Sequence, residues 1–343
     1  MTSRNRGARA LVLIPVVGLV VALAACSTGT GSGGSSTTPS PTPTAAAVTT
    51  PTFVFGNDCS SVVSASELAT VLGTEVAPTS SIPWLDESDW AVPSLGGVRC
   101  DWQAASSAHA QSLDLIVLPA SAASSSSYQA FDCTSNATSS IGDCDFNAVY
   151  SGYWFSGMLQ LDTGSTNAQA QAAAVQLEAA LKQSASSAPK APGVAAITGA
   201  WTKPASCAAV DQAGDVSSSL GSPAVILQGS GSTIEDGNPD AYTAAVSTSA
   251  YLACAWESAD SSRGFAVYLY PGGAWARADL VSSASTTAQV AGATSAYLSP
   301  GIEGSSLLDV FVGNNAFVVE QSSLTITTAQ LDTVAAAIIK AMN

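Results

Sequence analysis

Residues 59–73 read CSSVVSASELATVLG and residues 207–221 read CAAVDQAGDVSSSLG. Both stretches carry cysteine, valine, leucine and glycine at the same offsets: Cys59, Val62, Leu72 and Gly73 against Cys207, Val210, Leu220 and Gly221. The match continues downstream. A second cysteine opens Cys100-Asp101-Trp102 in one half and Cys254-Ala255-Trp256 in the other, and apolar runs closing on proline follow at residues 113–119 and 265–271. Val149-Tyr150-Ser151-Gly152 then matches Val310-Phe311-Val312-Gly313, and each half ends on a helical pattern with a late lysine, Lys182 or Lys340. An ordered series of this kind reads as a duplication. It gives two tandem, related domains at residues 53–183 and 201–343, with residues 184–200 as the linker.

Local patterns assign the class of each unit. Ser64 and Glu67 make a capping-box pattern ahead of Leu68, Val71 and Leu72, and Gly73 suits the left-handed position after a helix. The second copy is weaker, with Asp211 as the expected N-cap and Gly214 as a local breaker. Residues 113–118 and 264–270 are strand-like by residue type and alternation. Residues 154–161 and 316–319 are expected as later hairpin strands, after turns at Gly152 and at residues 313–315. Ala170, Ala174, Leu177 and Leu181 share one helical face, as do Leu331, Val334, Ala335 and Ile338 after a Thr327-x-x-Gln330 cap. The expected fold is α+β: in each domain an antiparallel sheet with packed helices and at least one disulfide.

The chain's start concerns location. Arg4, Arg6 and Arg9 precede an apolar run at residues 11–25 that ends Leu23-Ala24-Ala25-Cys26. A cationic start, a short apolar core and small residues at the cut describe a signal peptide, residues 1–25, rather than a membrane span. Residues 26–52 continue as a Ser/Thr/Pro-rich tether that has no periodic apolar face to offset its ordering entropy.

The full chain carries 10 basic and 25 acidic residues. Losing the three leader arginines leaves seven basic residues and a mature charge near −18. That charge argues against nucleic acid, whose phosphates need clustered Lys and Arg. It also leaves membrane attachment to acyl chains, of which one alone binds at roughly 10⁴ M⁻¹ and two or more hold stably.

Seven cysteines less Cys26 leave six. The repeat selects Cys59 with Cys100 and Cys207 with Cys254, and Cys133 with Cys144 then pair inside the first unit. The rival, a zinc site or reactive thiol, is disfavoured by the lack of any CxxC and by a single histidine, His109.

A cysteine directly after Leu-Ala-Ala resembles the lipobox of bacterial lipoproteins, where the thiol of Cys26 takes a diacylglycerol and the new amine a fatty acid such as palmitate. Lipobox, tether, Cys…Leu-Gly…Cys-x-Trp and an apolar strand together resemble actinobacterial envelope lipoproteins of a small, uncharacterised α+β domain family. The resemblance covers both halves and is carried by Cys59, Gly73, Cys100, Trp102, Cys207, Gly221, Cys254 and Trp256. It implies a lipid-anchored protein on the extracytoplasmic face of the cell membrane, with sensor or ligand-binding modules among related folds. Two copies in tandem and the extra Cys133/Cys144 pair depart from that family's single-domain pattern. No catalytic residues come with it.

Chemistry is sparse elsewhere. His109 lies in a Ser/Ala loop, and there is no Gly-x-Ser-x-Gly elbow, phosphate loop or dinucleotide fingerprint. The expectation is therefore no enzyme and no cofactor. Two acidic segments, Trp84 to Trp90 and Glu235 to Tyr242, occupy equivalent places before Cys100 and Cys254. Neither has calcium-loop spacing. Both are expected as loops, and Trp84, Trp90 and Tyr242 are the candidate ligand-binding residues. A groove lined by these rings would favour a binding module for a peptide, lipid or envelope polymer. A tight interface between the halves would favour an interaction lipoprotein that docks another envelope protein.

Overall fold

The computed structural model describes residues 48, 50–78, 87–105, 111–122, 131–133, 141–194, 196–221, 224–229, 240–281, 284–301, 304–323 and 325–343. Residues from Ala45 onward form one compact unit. In chain order the first part gives α1 (Cys59–Val62), α2 (Ala65–Leu72), β1 (Val76–Pro78), α3 (Glu87–Ser94), β2 (Val98–Ala104), β3 (Ser112–Pro119), β4 (Ile141–Tyr150), β5 (Tyr153–Thr163) and α4 (Asn167–Ser187). The second gives α5 (Cys207–Gly214), β6 (Ala224–Gly229), α6 (Asp240–Thr248), β7 (Leu252–Ser258), β8 (Gly264–Tyr270), α7 (Arg277–Leu280), β9 (Thr286–Ala288), β10 (Ser295–Pro300), β11 (Ser306–Val312), β12 (Asn315–Gln321) and α8 (Thr328–Met342). The fold is α+β, with two antiparallel sheets. The five-stranded sheet runs β1-β2-β3-β5-β4 and the seven-stranded one β6-β7-β8-β12-β11-β10-β9.

Strand order in the first sheet recurs in the second as β6-β7-β8-β12-β11, and β9 and β10 extend the far edge of the second sheet. Those two strands have no counterpart in the sequence pattern. Each sheet buries one face under its own helices. In the first, Leu113, Leu115, Val117 and Phe155 pack against Leu68, Leu177 and Leu181. In the second, Phe265, Val267, Leu269 and Phe317 pack against Val210, Leu331, Val334 and Ile338. Every face residue expected of the two closing helices is buried.

Helix ends follow side-chain chemistry. Ser64/Glu67 and Thr327/Gln330 form reciprocal capping boxes, and a third, Thr166/Gln169, opens α4. Gly73 ends α2 at φ +71°, the left-handed cap. The second copy departs from expectation. Ser206, not Asp211, caps α5 by accepting from the Ala209 N–H. Asp211 instead accepts from the Trp256 indole at 3.0 Å and from the Ser217 amide and hydroxyl, tying α5 to β7. Gly214 is the last residue of α5, where a breaker is expected, and a Cβ there would lie 2.4 Å from the Ala337 carbonyl oxygen of α8. Its role is close helix contact.

The structure holds the six cysteines in three pairs. Cys59–Cys100 and Cys207–Cys254 link the starts of α1 and α5 to β2 and β7, with Cα separations of 5.6 and 5.5 Å. Cys133–Cys144, at 4.1 Å, fastens residues 131–133 along β4, the edge of the first sheet. There Asp132 and Asp145 exchange backbone hydrogen bonds of 2.7 and 3.0 Å, and Phe131 stacks on Phe146. A paired, bridged strap blunts what would be an open edge ten residues long.

Residues 184–200 contact both sheets' surroundings. The first four continue α4, and Ala188 and Ala191 pack against the first core. The Thr198 and Gly199 carbonyls accept from the side chains of Asn314 and Asn315, at the β11–β12 turn.

Candidate functional site

The two acidic segments are not wholly loops. Each ends in a helix, α3 and α6, that begins with acidic side chains and continues through residues compatible with helix, Ala91-Val92 and Ala241-Tyr-Thr-Ala-Ala245. These two helices pack on each other at a seam between the sheets. Ala241, Tyr242 and Ala245 of α6 meet Ile116, Leu118 and Trp154, which form the second face of the first sheet, together with Ala91 and Val92 of α3 and Leu95 just after it. The Ala241 N–H donates to Ser156 Oγ of β5. Trp90 goes the other way. Its ring lies against Tyr270 (centroids 4.9 Å apart) and Trp275 (5.1 Å, stacked) on the second sheet's other face. Gly273 allows this approach, since a Cβ there would come within 3.0 Å of the indole.

This geometry corrects the expected groove. Trp90 is 1 % exposed and Tyr242 4 %, so neither ring is open to a ligand. Burying aromatic area between two sheets outweighs displaying it, because each such ring removes some 150–250 Å² from water. Trp84, Cys26 and His109 lie outside the described residues, as do the side chains of the remaining acidic positions in the two segments. Trp102 and Trp256 are core residues beside their disulfides. Among the described residues, no helix is long and apolar enough to cross a membrane. Also among the described residues, no three His, Cys, Asp or Glu side chains converge as a metal cage.

An open cleft of about 610 Å³ lies elsewhere, between residues 52–63 and the end of α4 with the chain that leaves it. Small-molecule pockets span about 300–1,000 Å³. Its lip is unusual. Phe55, Gly56 and Asn57 are all left-handed, at φ +48°, +65° and +61°. A bulky non-glycine residue rarely adopts that conformation, and each such residue costs of order 1 kcal/mol. What holds it is packing: the Phe55 ring sits 4.7 Å from Tyr153 and 6.2 Å from Phe155. Tyr153 in turn donates its hydroxyl to the Pro189 carbonyl on the far wall, and burial raises its pKa.

Polar groups line the rim. Ser60 and Ser61 donate their hydroxyls to Asp58, whose carboxyl they hold below its usual range. Ser184 of α4 donates to the Ser61 carbonyl at 2.9 Å, so the two walls are joined. Charges are one of each sign, Glu67 and Lys190. Glu67 is drawn below its usual pKa by the hydroxyl and N–H of Ser64. Sequence reasoning passed over this site, whose walls lie about 130 positions apart. The one local signal is Phe55-Gly56-Asn57, where Gly-Asn marks a turn.

A second buried polar cluster lies under the seven-stranded sheet. Ser285 and Ser299 share a hydrogen bond of 2.7 Å, and Ser299 donates to Asp309 Oδ2 at 2.8 Å. Burial pushes the Asp309 carboxyl up to about 6, against the lowering effect of the Ser299 hydroxyl. No family model, curated protein or solved structure matches the chain.

Proposed function

We propose that the chain is a membrane-anchored extracytoplasmic lipoprotein, acylated at Cys26 and acting as a non-enzymatic binding module of an actinobacterial cell envelope. Residues 1–25 are its signal peptide and residues 26–52 its tether. Residues 53–183 and 201–343 are related domains joined by residues 184–200. The recurring strand order and the matching helix-to-strand cysteine pairs support that relation. The cleft between residues 52–63 and the end of α4 carries the binding reading, with its mixed lining and its strained aromatic lip.

A second reading has its own support. The seam of α3 and α6 fuses the halves tightly, the feature expected of an interaction lipoprotein that docks another envelope protein. Native mass spectrometry of the delipidated protein from its own host separates the two. A reproducible bound small-molecule mass supports the binding module. A bare protein that co-purifies with one stoichiometric protein partner refutes it in favour of docking.

A further inference from the structure

We infer that the cleft takes a neutral, hydroxyl-rich ligand of the saccharide class, an inference that rests on the binding reading above. The first argument concerns protons. Four hydroxyls on the lining, those of Ser60, Ser61, Ser184 and Ser187, already give their single proton within the protein: two to Asp58, one to the Ser61 carbonyl and one to the Gln183 carbonyl. Each keeps oxygen lone pairs, so toward a ligand these four hydroxyls accept. Such a set of acceptors disfavours carboxylates and phosphates, which have only Lys190 to offset it, and suits a ligand that brings its own donors. A polyol brings many.

The second argument is charge. In a chain of formal charge −15, this lining holds one carboxylate and one ammonium, Glu67 and Lys190. Glu67 is already engaged by Ser64, and Asp58 behind the rim accepts from the Ser60 amide as well as the two hydroxyls. Neither carboxylate stands open to capture a cation, and Lys190 opposes one. A neutral ligand fits this balance.

The third argument is the platform. Saccharides bury the C–H face of a ring on an aromatic surface while their hydroxyls reach polar groups around it. Phe53 and Phe55 are half-buried, line the cleft and are braced from behind, Phe53 by Trp275 at 5.5 Å and Phe55 by Tyr153. Gln183, exposed on α4, adds an amide with both a donor and an acceptor. Fixed rings beside adaptable polar groups make a site ordered before its ligand arrives.

The test uses the full chain in detergent, titrated with maltotetraose and chitotetraose and followed by saturation-transfer NMR and calorimetry. The expected result is binding of a neutral tetrasaccharide with an affinity that does not change between low and high salt. Phe55→Gly keeps the left-handed backbone and removes the platform; Gln183→Ala leaves the fold untouched and removes the amide. Each should weaken binding roughly tenfold. Binding that survives both substitutions overturns the site, and binding that collapses with salt overturns the neutral class. If neither sugar binds while native mass spectrometry finds another bound mass, the saccharide inference falls and the binding reading stands. If neither sugar nor any mass is found, both fall.

Discussion

Replacing Asp309 by asparagine should make the protein more stable at neutral pH and leave it no more stable in acid. Asp309 is 3 % exposed on β11, and its carboxyl is raised by burial from 3.8 to about 6. A group whose folded pKa is raised binds its proton more tightly in the fold than in the unfolded chain. Its contribution is therefore most favourable below the unfolded value and is lost as pH climbs to the folded one. The shift of about two units, at 1.36 kcal/mol each, makes ionised Asp309 cost about 3 kcal/mol above pH 6 relative to pH below 4. Asparagine removes that ionisation while its carbonyl oxygen still accepts from Ser299. Its amide protons add an expense of about 1–3 kcal/mol if they find no partner. The absolute change at pH 8 is thus about 0–3 kcal/mol of stabilisation, but the pH dependence does not share that spread. The difference between variant and parent should grow by about 3 kcal/mol from pH 4 to pH 8, or about 5 °C in Tm for a body of this size. Thermal melts across that range read it directly. A difference that stays flat with pH would refute the assignment of a buried, protonatable Asp309.

Trp90→Ala should cost about 3–5 kcal/mol, since the indole fills the seam against Tyr270 and Trp275, and calorimetry should show the lowered transition. Gly214→Ala should destabilise by about 1–3 kcal/mol in a denaturant titration, because its methyl meets the Ala337 carbonyl. Removing Cys207–Cys254, with a sequence separation of 47, should cost about 4 kcal/mol by loop entropy, against about 3 for Cys133–Cys144 at 11. Only the second removal should also promote association, seen by light scattering, since it frees the β4 edge. Cys26→Ala should move the protein from the membrane to the soluble fraction on cell fractionation, and intact mass should show no acyl chains.

Much of the framework is legible in sequence because its causes are local. Ser64/Glu67 and Thr327/Gln330 announce their helices within four residues, and the strand at Gly264–Tyr270 is bounded by its own alternation. Cysteine pairing follows from the repeated offsets. What escapes is whatever depends on a distant partner. Asp211 reads as a cap until Trp256 offers its indole, and Gly214 reads as a helix end with no sign that α8 will lie against it. Trp90 and Tyr242 sit in acidic, loop-like surroundings, so nothing nearby says that each ring will be buried across a seam. The cleft is harder still, since Phe55 and Gln183 approach only after the first sheet and α4 have formed.

The seam also sets an order of events. The first sheet's second face, Ile116, Leu118 and Trp154, is covered in part by Ala241, Tyr242 and Ala245. A chain emerging from its amino end completes α4 at Ser187 about fifty residues before α6 begins at Asp240. Through that interval the early half holds a finished core on one side and an apolar surface on the other. It behaves as an unfinished intermediate whose closing piece is encoded in the later half. Severing the chain between the halves would therefore release two fragments with sticky faces, not two independent domains.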